Sequence, residues 1–144
     1  MYRIAICDDD LVFGSLLEQY LQNFAKTRRI PIDVLVFARG EEYLEFLIEE
    51  FPVDLIFLDI QFEKGLDGVQ IGKELRADIK NEMTQIIYIS GIESYAMQLF
   101  QNRPMDFLVK PVKQERVDHI MEEYLRLFGN RNKQYFDYKL IIDF

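Results

Sequence analysis

Five polar residues of this sequence are of types that take part in catalysis or ligand binding. Asp8, Asp9, Asp59, Ser90 and Lys110 each come at the end of a short apolar run. A carboxylate can attack phosphorus covalently, and cations or hydroxyl donors stabilise the charge on the transferred oxygens. Neighbouring carboxylates repel one another, and a hard cation such as Mg²⁺, which takes oxygen ligands, relieves that repulsion. The residue types therefore predict Mg²⁺-dependent phosphoryl transfer onto a carboxylate.

These side chains can act together only if the fold brings their strand ends to one edge. Apolar runs predict strands at 2–7, 32–37, 54–59, 85–89 and 107–109, and amphipathic segments predict helices at about 12–24, 41–50, 69–79, 93–101 and 114–128. This alternation predicts an α/β fold with a parallel sheet and helices on both faces. Ligands bind beyond the carboxyl ends of such strands, and four of the five predicted strands carry a polar group there.

Composition narrows the function classes. The net charge is −8 and no basic run is present, which argues against nucleic-acid binding by this chain itself. No apolar run approaches the roughly 20 residues that span a bilayer. The single cysteine, Cys7, cannot form an internal disulfide and fits a cytoplasmic location. With His119 as the only histidine, the usual zinc sites are excluded.

Four motifs in order resemble the receiver domain of bacterial response regulators. They are Asp8-Asp9, Leu58-Asp59-Ile60, Ile89-Ser90-Gly91 and Phe107-Leu108-Val109-Lys110-Pro111. The resemblance covers residues 1 to about 128. It implies a flavodoxin-like, doubly wound five-stranded parallel sheet in the order 2-1-3-4-5. It also implies a phosphoprotein of a two-component system rather than an enzyme with a diffusing substrate.

The resemblance gives each acidic residue an expected role. Asp59 would accept the phosphoryl group from a phosphohistidine on a sensor histidine kinase. Asp9, Asp59 and the backbone carbonyl of Gln61 would bind Mg²⁺, with Asp8 acting mainly through water. Lys110 would stabilise the phosphoryl charge, and its bond to Pro111 would be cis.

The same resemblance implies a conformational switch and a dimer. The Ser90 hydroxyl would move toward the phosphoryl group, and the Phe107 ring would follow into the vacated space, although core packing alone also explains Phe107. Family members commonly dimerise through the face made by the fourth helix, fifth strand and fifth helix. Here the predicted face comprises Tyr95, Leu99, Phe107, Gln114 and Asp118.

The loop after the acceptor departs from the family pattern. Receivers usually carry proline four residues after the acceptor and glycine eight after it. Here Glu63 stands at the first position, and the glycine, Gly68, comes nine residues after Asp59. The loop 61–68 is therefore one residue longer. We expect Glu63 and Lys64 to affect the lifetime of the phosphoaspartate or the choice of kinase.

The end of the sequence differs in composition from the rest. Residues 129–134 are polar and turn-rich, which predicts a linker after a receiver domain at 1–128. Residues 135–144 read as extended and apolar, and they resemble the opening of a LytTR-type DNA-binding domain. This predicts that the chain is the first part of a longer transcription regulator, which contacts DNA only through that missing domain.

Two alternative functions remain open from the residues alone. The run Asp8-Asp9-Asp10-Leu11-Val12 also fits the signature of haloacid-dehalogenase-type phosphatases, in which Asp8 would be the nucleophile. That family needs a further acidic strand end after Lys110, which this sequence lacks. The other alternative is a receiver-like binding module that is not phosphorylated, against which the complete set of acids, serine and lysine argues. Asp10 itself is predicted to be a helix cap.

Overall fold

A five-stranded parallel sheet in the order β2-β1-β3-β4-β5 forms the centre of the molecule, as the resemblance predicts. The computed structural model describes residues 1–49, 52–61, 67–78, 81, 83–91 and 99–142. The strands are β1 (Tyr2–Cys7), β2 (Ile32–Phe37), β3 (Leu55–Asp59), β4 (Gln85–Ser90) and β5 (Asp106–Val109). The helices are α1 (Leu11–Arg28), α2 (Gly40–Glu49), α3 (Gly68–Lys73) with a π-helical continuation (Glu74–Asp78), a 3-10 turn (Phe100–Asn102) and a C-terminal helix (Gln114–Ile142).

The sheet is covered by an apolar core on each face. Every residue of β3 is buried, as expected for a strand between two layers. Ile4 and Ile6 of β1 face one core with α1 and the C-terminal helix, while Ala5 and Cys7 face the other with α2 and α3. Because alternate residues pack into the two cores, the sheet is buried between two helical layers. Its carboxyl edge is thereby held in place by both layers.

Two helices begin at that edge with side-chain caps. Asp10 caps α1, where its side chain accepts a hydrogen bond from the Phe13 N–H at 3.1 Å, as predicted. Asp67 caps α3 in a capping box with Gln70. The caps therefore determine where α1 and α3 start relative to the ends of β1 and β3.

The C-terminal helix contradicts the predicted structure of residues 129–142. A linker and an extended segment were expected there, but the helix continues without a break from Gln114 to Ile142. Glycine in a helix interior costs only about 1 kcal/mol, and Arg, Lys and Gln are good helix formers. No proline follows Pro111 to end the helix.

Other predictions fall partly outside the described residues. The predicted helix 93–101 is one, and of it the structure describes only the last residues, which include the 3-10 turn. The segment 62–66, with Glu63 and Lys64, is another. Among the helices that the structure describes, none is both long and apolar enough to cross a bilayer.

Arg76 forms a buried polar network that the sequence did not predict. It is only 8% exposed, and its guanidinium donates to the carbonyls of Asn102 (2.9 Å), Asn81 (2.7 Å) and Thr84 (2.8 Å). Asn102 in turn donates to the hydroxyl of Tyr88 at 2.9 Å. The network joins the π-helical turn to the start of β4 and to the 3-10 turn.

Candidate functional site

Parallel register brings the predicted site residues to one edge of the sheet. Asp59 pairs with Ile89, and Ser90 pairs with Val109, so the ends of β3, β4 and β5 lie side by side. Cys7, directly before Asp8, pairs with Leu58. Every strand that the sequence predicted to end in a polar site residue therefore delivers it to this edge.

Three carboxylates form the centre of the candidate site. Asp8, Asp9 and Asp59 each offer an oxygen, and these oxygens all lie within 4.8 Å of one another. Asp8 is fully buried and Asp59 is 6% exposed, whereas Asp9 is accessible to solvent. The geometry suits a hard cation that is bound from the solvent side.

Among the residues that the structure describes, Lys110 places a positive charge against this cluster. Its Nζ lies 3.3 Å from Asp8 Oδ2 and 3.6 Å from Asp59 Oδ2. On another side, Nζ lies 4.4 Å from the ring centroid of Phe13. The lysine follows β5, where its N–H donates to the Ser90 carbonyl at 2.9 Å, and the Lys110–Pro111 peptide is cis, as the resemblance implies.

Asp8 is held in place by its neighbours on α1 and β2. Its Oδ1 accepts a hydrogen bond from the Asp10 N–H at 2.8 Å, and its own N–H donates to the Phe37 carbonyl at 3.0 Å. Its Oδ2 is buried and, apart from the Lys110 ion pair, has no hydrogen-bond partner among the described residues. A buried carboxylate oxygen with so little compensation favours a cation or an ordered water beside it.

Burial raises the pKa of Asp59 to about 7, and the negative charge of Asp8 adds to the effect. The Lys110 ammonium opposes the shift, as does the Gln61 N–H, which donates to Asp59 Oδ1 at 3.2 Å. Two carboxylates that share one lysine remain short of positive charge. Binding of a proton or a cation therefore stabilises the site.

This shift predicts how stability depends on pH without metal. The folded state holds the Asp59 proton more tightly than the unfolded state. The stabilisation from this proton is therefore fully present below pH 3.8 and is lost as the pH rises toward about 7. In EDTA, urea unfolding should show a loss of about 2 kcal/mol between about pH 5 and pH 8 that Asp59→Asn lacks. If the free energy of unfolding changed with pH to the same extent in both proteins, the raised pKa of Asp59 would be contradicted.

The two predicted switch residues lie on neighbouring strands, Ser90 at the carboxyl end of β4 and Phe107 within β5, where it packs against the core. Ser90 ends β4 and is 8% exposed. Phe107 is half-buried, stacks on Tyr88 at 6.2 Å between centroids and meets the Phe100 ring edge-on at 5.7 Å. Tyr88 is fixed from behind by Asn102. The structure therefore supports the core-packing role of Phe107, and a switching role stays a prediction.

The predicted dimer face is wrong in three of its residues. Leu99 is fully buried in the core. Gln114 and Asp118 face α1 instead, since the Gln114 side chain donates to the Tyr20 carbonyl at 2.9 Å and to Asp118 at 2.7 Å. Tyr95 lies outside the described residues. The surface beside β5 is formed instead by Phe100, Phe107, Val109, Arg116 and His119, of which Phe100 is 57% and Val109 45% exposed.

The backbone of Asp59 and Ile60 leaves no room for a side chain at Gly68, the glycine that follows the longer loop. A Cβ built on Gly68 would lie 2.1 Å from the carbonyl oxygen of Asp59 and 2.9 Å from Ile60 Cα. The first residue of α3 is therefore in direct contact with the backbone of the acceptor strand. The sequence located this glycine, but the contact that requires it appears only in the folded chain.

A comparison with protein-family models matches residues 4–122 to the response regulator receiver domain. The sensory transduction protein LytT of Oceanobacillus iheyensis is 34% identical over 77 residues, which are 54% of this chain and 30% of that protein. LytT of Bacillus cereus is 27% identical over 86% of this chain and 47% of its own length. The chain thus spans less than half of these curated relatives.

Solved structures show the same fold. The response regulatory domain of the mrkE protein from Klebsiella pneumoniae superposes with a TM-score of 0.77 at 21% identity, over 89% of this chain and 98% of that one. Response regulator TrrA from Thermotoga maritima, crystallised in complex with Mg²⁺ and BeF, gives 0.72 at 24% identity, over 87% and 100%.

Proposed function

Because the chain belongs to the response regulator receiver domain family, we propose that Asp59 accepts a phosphoryl group from a histidine kinase in an Mg²⁺-dependent reaction. One observation carries the choice of Asp59. It stands in a cluster of three carboxylates with its Oδ2 3.6 Å from the Lys110 ammonium, and it is 6% exposed, whereas Asp8, the other carboxylate paired with Lys110, is fully buried. More than half of each matched relative lies outside the region shared with this chain. We also propose that the whole protein controls transcription through a LytTR-type domain after residue 128.

The reaction needs a carboxylate nucleophile and a neutralised phosphoryl group. An Asp59 oxygen attacks phosphorus as the P–N bond of the kinase phosphohistidine breaks, so that an acyl phosphate forms and the imidazole leaves. Lys110 holds positive charge beside the transferred oxygens, and Ser90 offers a hydroxyl donor from the neighbouring strand end. Phosphorylation then shifts Ser90 and Phe107.

The carboxylates fit Mg²⁺ as the resident cation. Asp9, Asp59 and the Gln61 carbonyl would hold it, and buried Asp8 would act through a bound water. When bound, Mg²⁺ supplies the positive charge that the transferred phosphoryl oxygens require. The Asp10 N–H and Lys110 hold Asp8 in this position.

The phosphatase alternative is not retained. It requires Asp8 to be an accessible nucleophile, but Asp8 is fully buried and both its oxygens face protein groups, the Asp10 N–H and Lys110. A nucleophile also has to approach its substrate. Asp59 is the more exposed of the two carboxylates. The phosphatase mechanism would also leave Asp59 without a role.

Intact-mass spectrometry after treatment with acetyl phosphate and Mg²⁺ tests the function. We expect one added phosphoryl group in the wild type, none in Asp59→Ala and none when EDTA replaces Mg²⁺. Asp33→Ala is the matched control, because Asp33 lies in β2 away from the site and should leave labelling unchanged. Labelling of Asp59→Ala equal to the wild type, or none of the wild type, would refute the proposal.

We also propose that phosphorylation favours a homodimer through the surface beside β5. Exposed Phe100 and Val109 lie there with Arg116, which is paired with Asp106 at 2.9 Å. Light scattering should show a higher apparent mass with beryllofluoride, a phosphoryl mimic, and Val109→Arg should prevent the increase. Met83→Arg, at an equally exposed apolar residue before β4, should not. A wild-type mass that stays monomeric counts against the dimer.

A further inference from the structure

The Lys110 ammonium has an aromatic contact as well as its two carboxylates. Nζ lies 4.4 Å from the ring centroid of Phe13, within the range in which a cation and an aromatic face attract each other. Asp8 and Asp59 lie 3.3 and 3.6 Å from the same nitrogen. Both carboxylates belong to the floor of the site, whereas the ring comes from α1.

The Phe13 ring is supported by the start of α1 and by the core. The Phe13 N–H is bonded to the Asp10 cap, and the side chain packs against the core formed by α1 and the C-terminal helix. The start of α1 is thereby tied to the acidic end of β1, because Asp10 directly follows Asp8 and Asp9. Phe13 is therefore anchored at the start of α1, next to the carboxylates that end β1.

Lysine needs such a constraint more than the other groups in the site. Its ammonium stands on a flexible four-carbon stem and makes no planar, bidentate contact that would orient it. The Lys110 side chain is also 28% exposed, so water competes for it. A ring on one side of the ammonium limits its motion without adding a charge or a hydrogen-bond acceptor that would compete with the phosphoryl group.

We propose that Phe13 is a positioning residue, which holds the Lys110 ammonium over Asp59 through its aromatic face. This rests on the proposed role of Lys110 in phosphoryl transfer. The ring keeps the ammonium where the transferred oxygens arrive, so that the cation does not have to be ordered during the reaction.

NMR tests the contact without any phosphorylation. In protein labelled with ¹³C-lysine, the ring should shift the Lys110 side-chain methylene signals upfield, and Lys110→Met identifies those signals by their loss. Phe13→Leu should remove the shift and Phe13→Tyr should keep it. Lys110 signals at ordinary positions in the wild type would overturn the contact, even if Asp59 is phosphorylated normally.

Kinetics test the consequence. With acetyl phosphate and Mg²⁺, Phe13→Leu should be phosphorylated about three- to thirty-fold more slowly, and Phe13→Tyr near the wild-type rate. Tyr20→Leu, an aromatic replacement on the same helix and core, is the matched control and should stay within about twofold.

Ring fluorination separates the electrostatic role from a packing role. Phenylalanines with increasing fluorination, inserted at position 13, keep the shape of the ring while they weaken its negative face. The rate should fall stepwise along the series. A rate independent of fluorination, or a Phe13→Leu rate equal to wild type, overturns the proposal. An unphosphorylated wild type with the NMR shift intact would refute the proposed function instead.

Discussion

Lys110→Met is expected to slow phosphorylation of Asp59 by acetyl phosphate about a hundredfold or more, the usual cost of losing one electrostatic contact to a transferred group. Methionine keeps most of the length and apolar character of the lysine stem but carries no charge. The Lys110 ammonium forms ion pairs with both Asp8 Oδ2 and Asp59 Oδ2. Phosphate incorporation measured by intact mass over time gives the rate.

The same substitution should change stability in a way that depends on the medium. Without metal near neutral pH, Asp8 and Asp59 would lose their shared cation, and we expect about 2 kcal/mol of destabilisation, less than for a fully buried pair because Lys110 is 28% exposed. Mg²⁺ should restore most of this, because it binds the folded state. Acid should also restore it, since a protonated Asp59 no longer repels Asp8.

Lys113→Met is the matched control, because Lys113 is exposed and lies three residues further on. It should change neither the rate nor the free energy of unfolding measured in urea. A Lys110→Met protein that is phosphorylated at the wild-type rate would remove Lys110 from the mechanism. Destabilisation that neither Mg²⁺ nor acid relieves would mean that packing, not charge, explains the loss.

The positions of the strand ends could be predicted from the sequence because buried parallel strands are nearly continuous apolar runs. The expected strand 54–59 and the observed Leu55–Asp59 end at the same residue. The site residues Asp8, Asp59 and Lys110 come at the ends of strands. Locating those ends was therefore enough to predict that the three residues lie at one edge of the sheet. The apolar runs were sufficient there because each run ends where its buried strand ends.

Contacts between distant segments were not predictable. Phe13 and Arg76 read as ordinary members of amphipathic helices, and only the assembled fold shows that the first meets Lys110 and the second is surrounded by carbonyl oxygens. Gln114 and Asp118 were assigned to the wrong side of their helix for the same reason. Periodicity gives the faces of a helix but not its rotation relative to the sheet, which here is seen in the contact with Tyr20.

The predicted end of the C-terminal helix was wrong for a different reason. A run of polar, turn-forming residues after Phe128 was given more weight than the absence of proline and the good helix propensity of Arg, Lys and Gln. A helix that is already formed at Gln114–Phe128 extends at low cost, since each further residue adds a hydrogen bond without a new nucleus. The domain boundary at 128 therefore stays a prediction.

Gly68→Ala is expected to destabilise the protein by about 3 kcal/mol or more, although it adds only a methyl group. The new Cβ would lie 2.1 Å from the Asp59 carbonyl oxygen and 2.9 Å from the Asp59 carbonyl carbon. These are backbone atoms of the buried central strand β3, so they cannot rotate away as a side chain would. Either α3 or the end of β3 has to move.

Gly14→Ala provides the opposite result from the same change. Gly14 lies in α1, where a Cβ would make an ordinary contact of 3.7 Å with Val36, and alanine is the better helix former by about 1 kcal/mol. Urea unfolding should therefore show a small gain for Gly14→Ala and a large loss for Gly68→Ala. Because α3 rests on the acceptor backbone, Gly68→Ala should also slow phosphorylation in the fraction that remains folded, as Asp59 is displaced. A Gly68→Ala protein of wild-type stability and rate would mean that the loop absorbs the methyl group, and that α3 does not fix the acceptor.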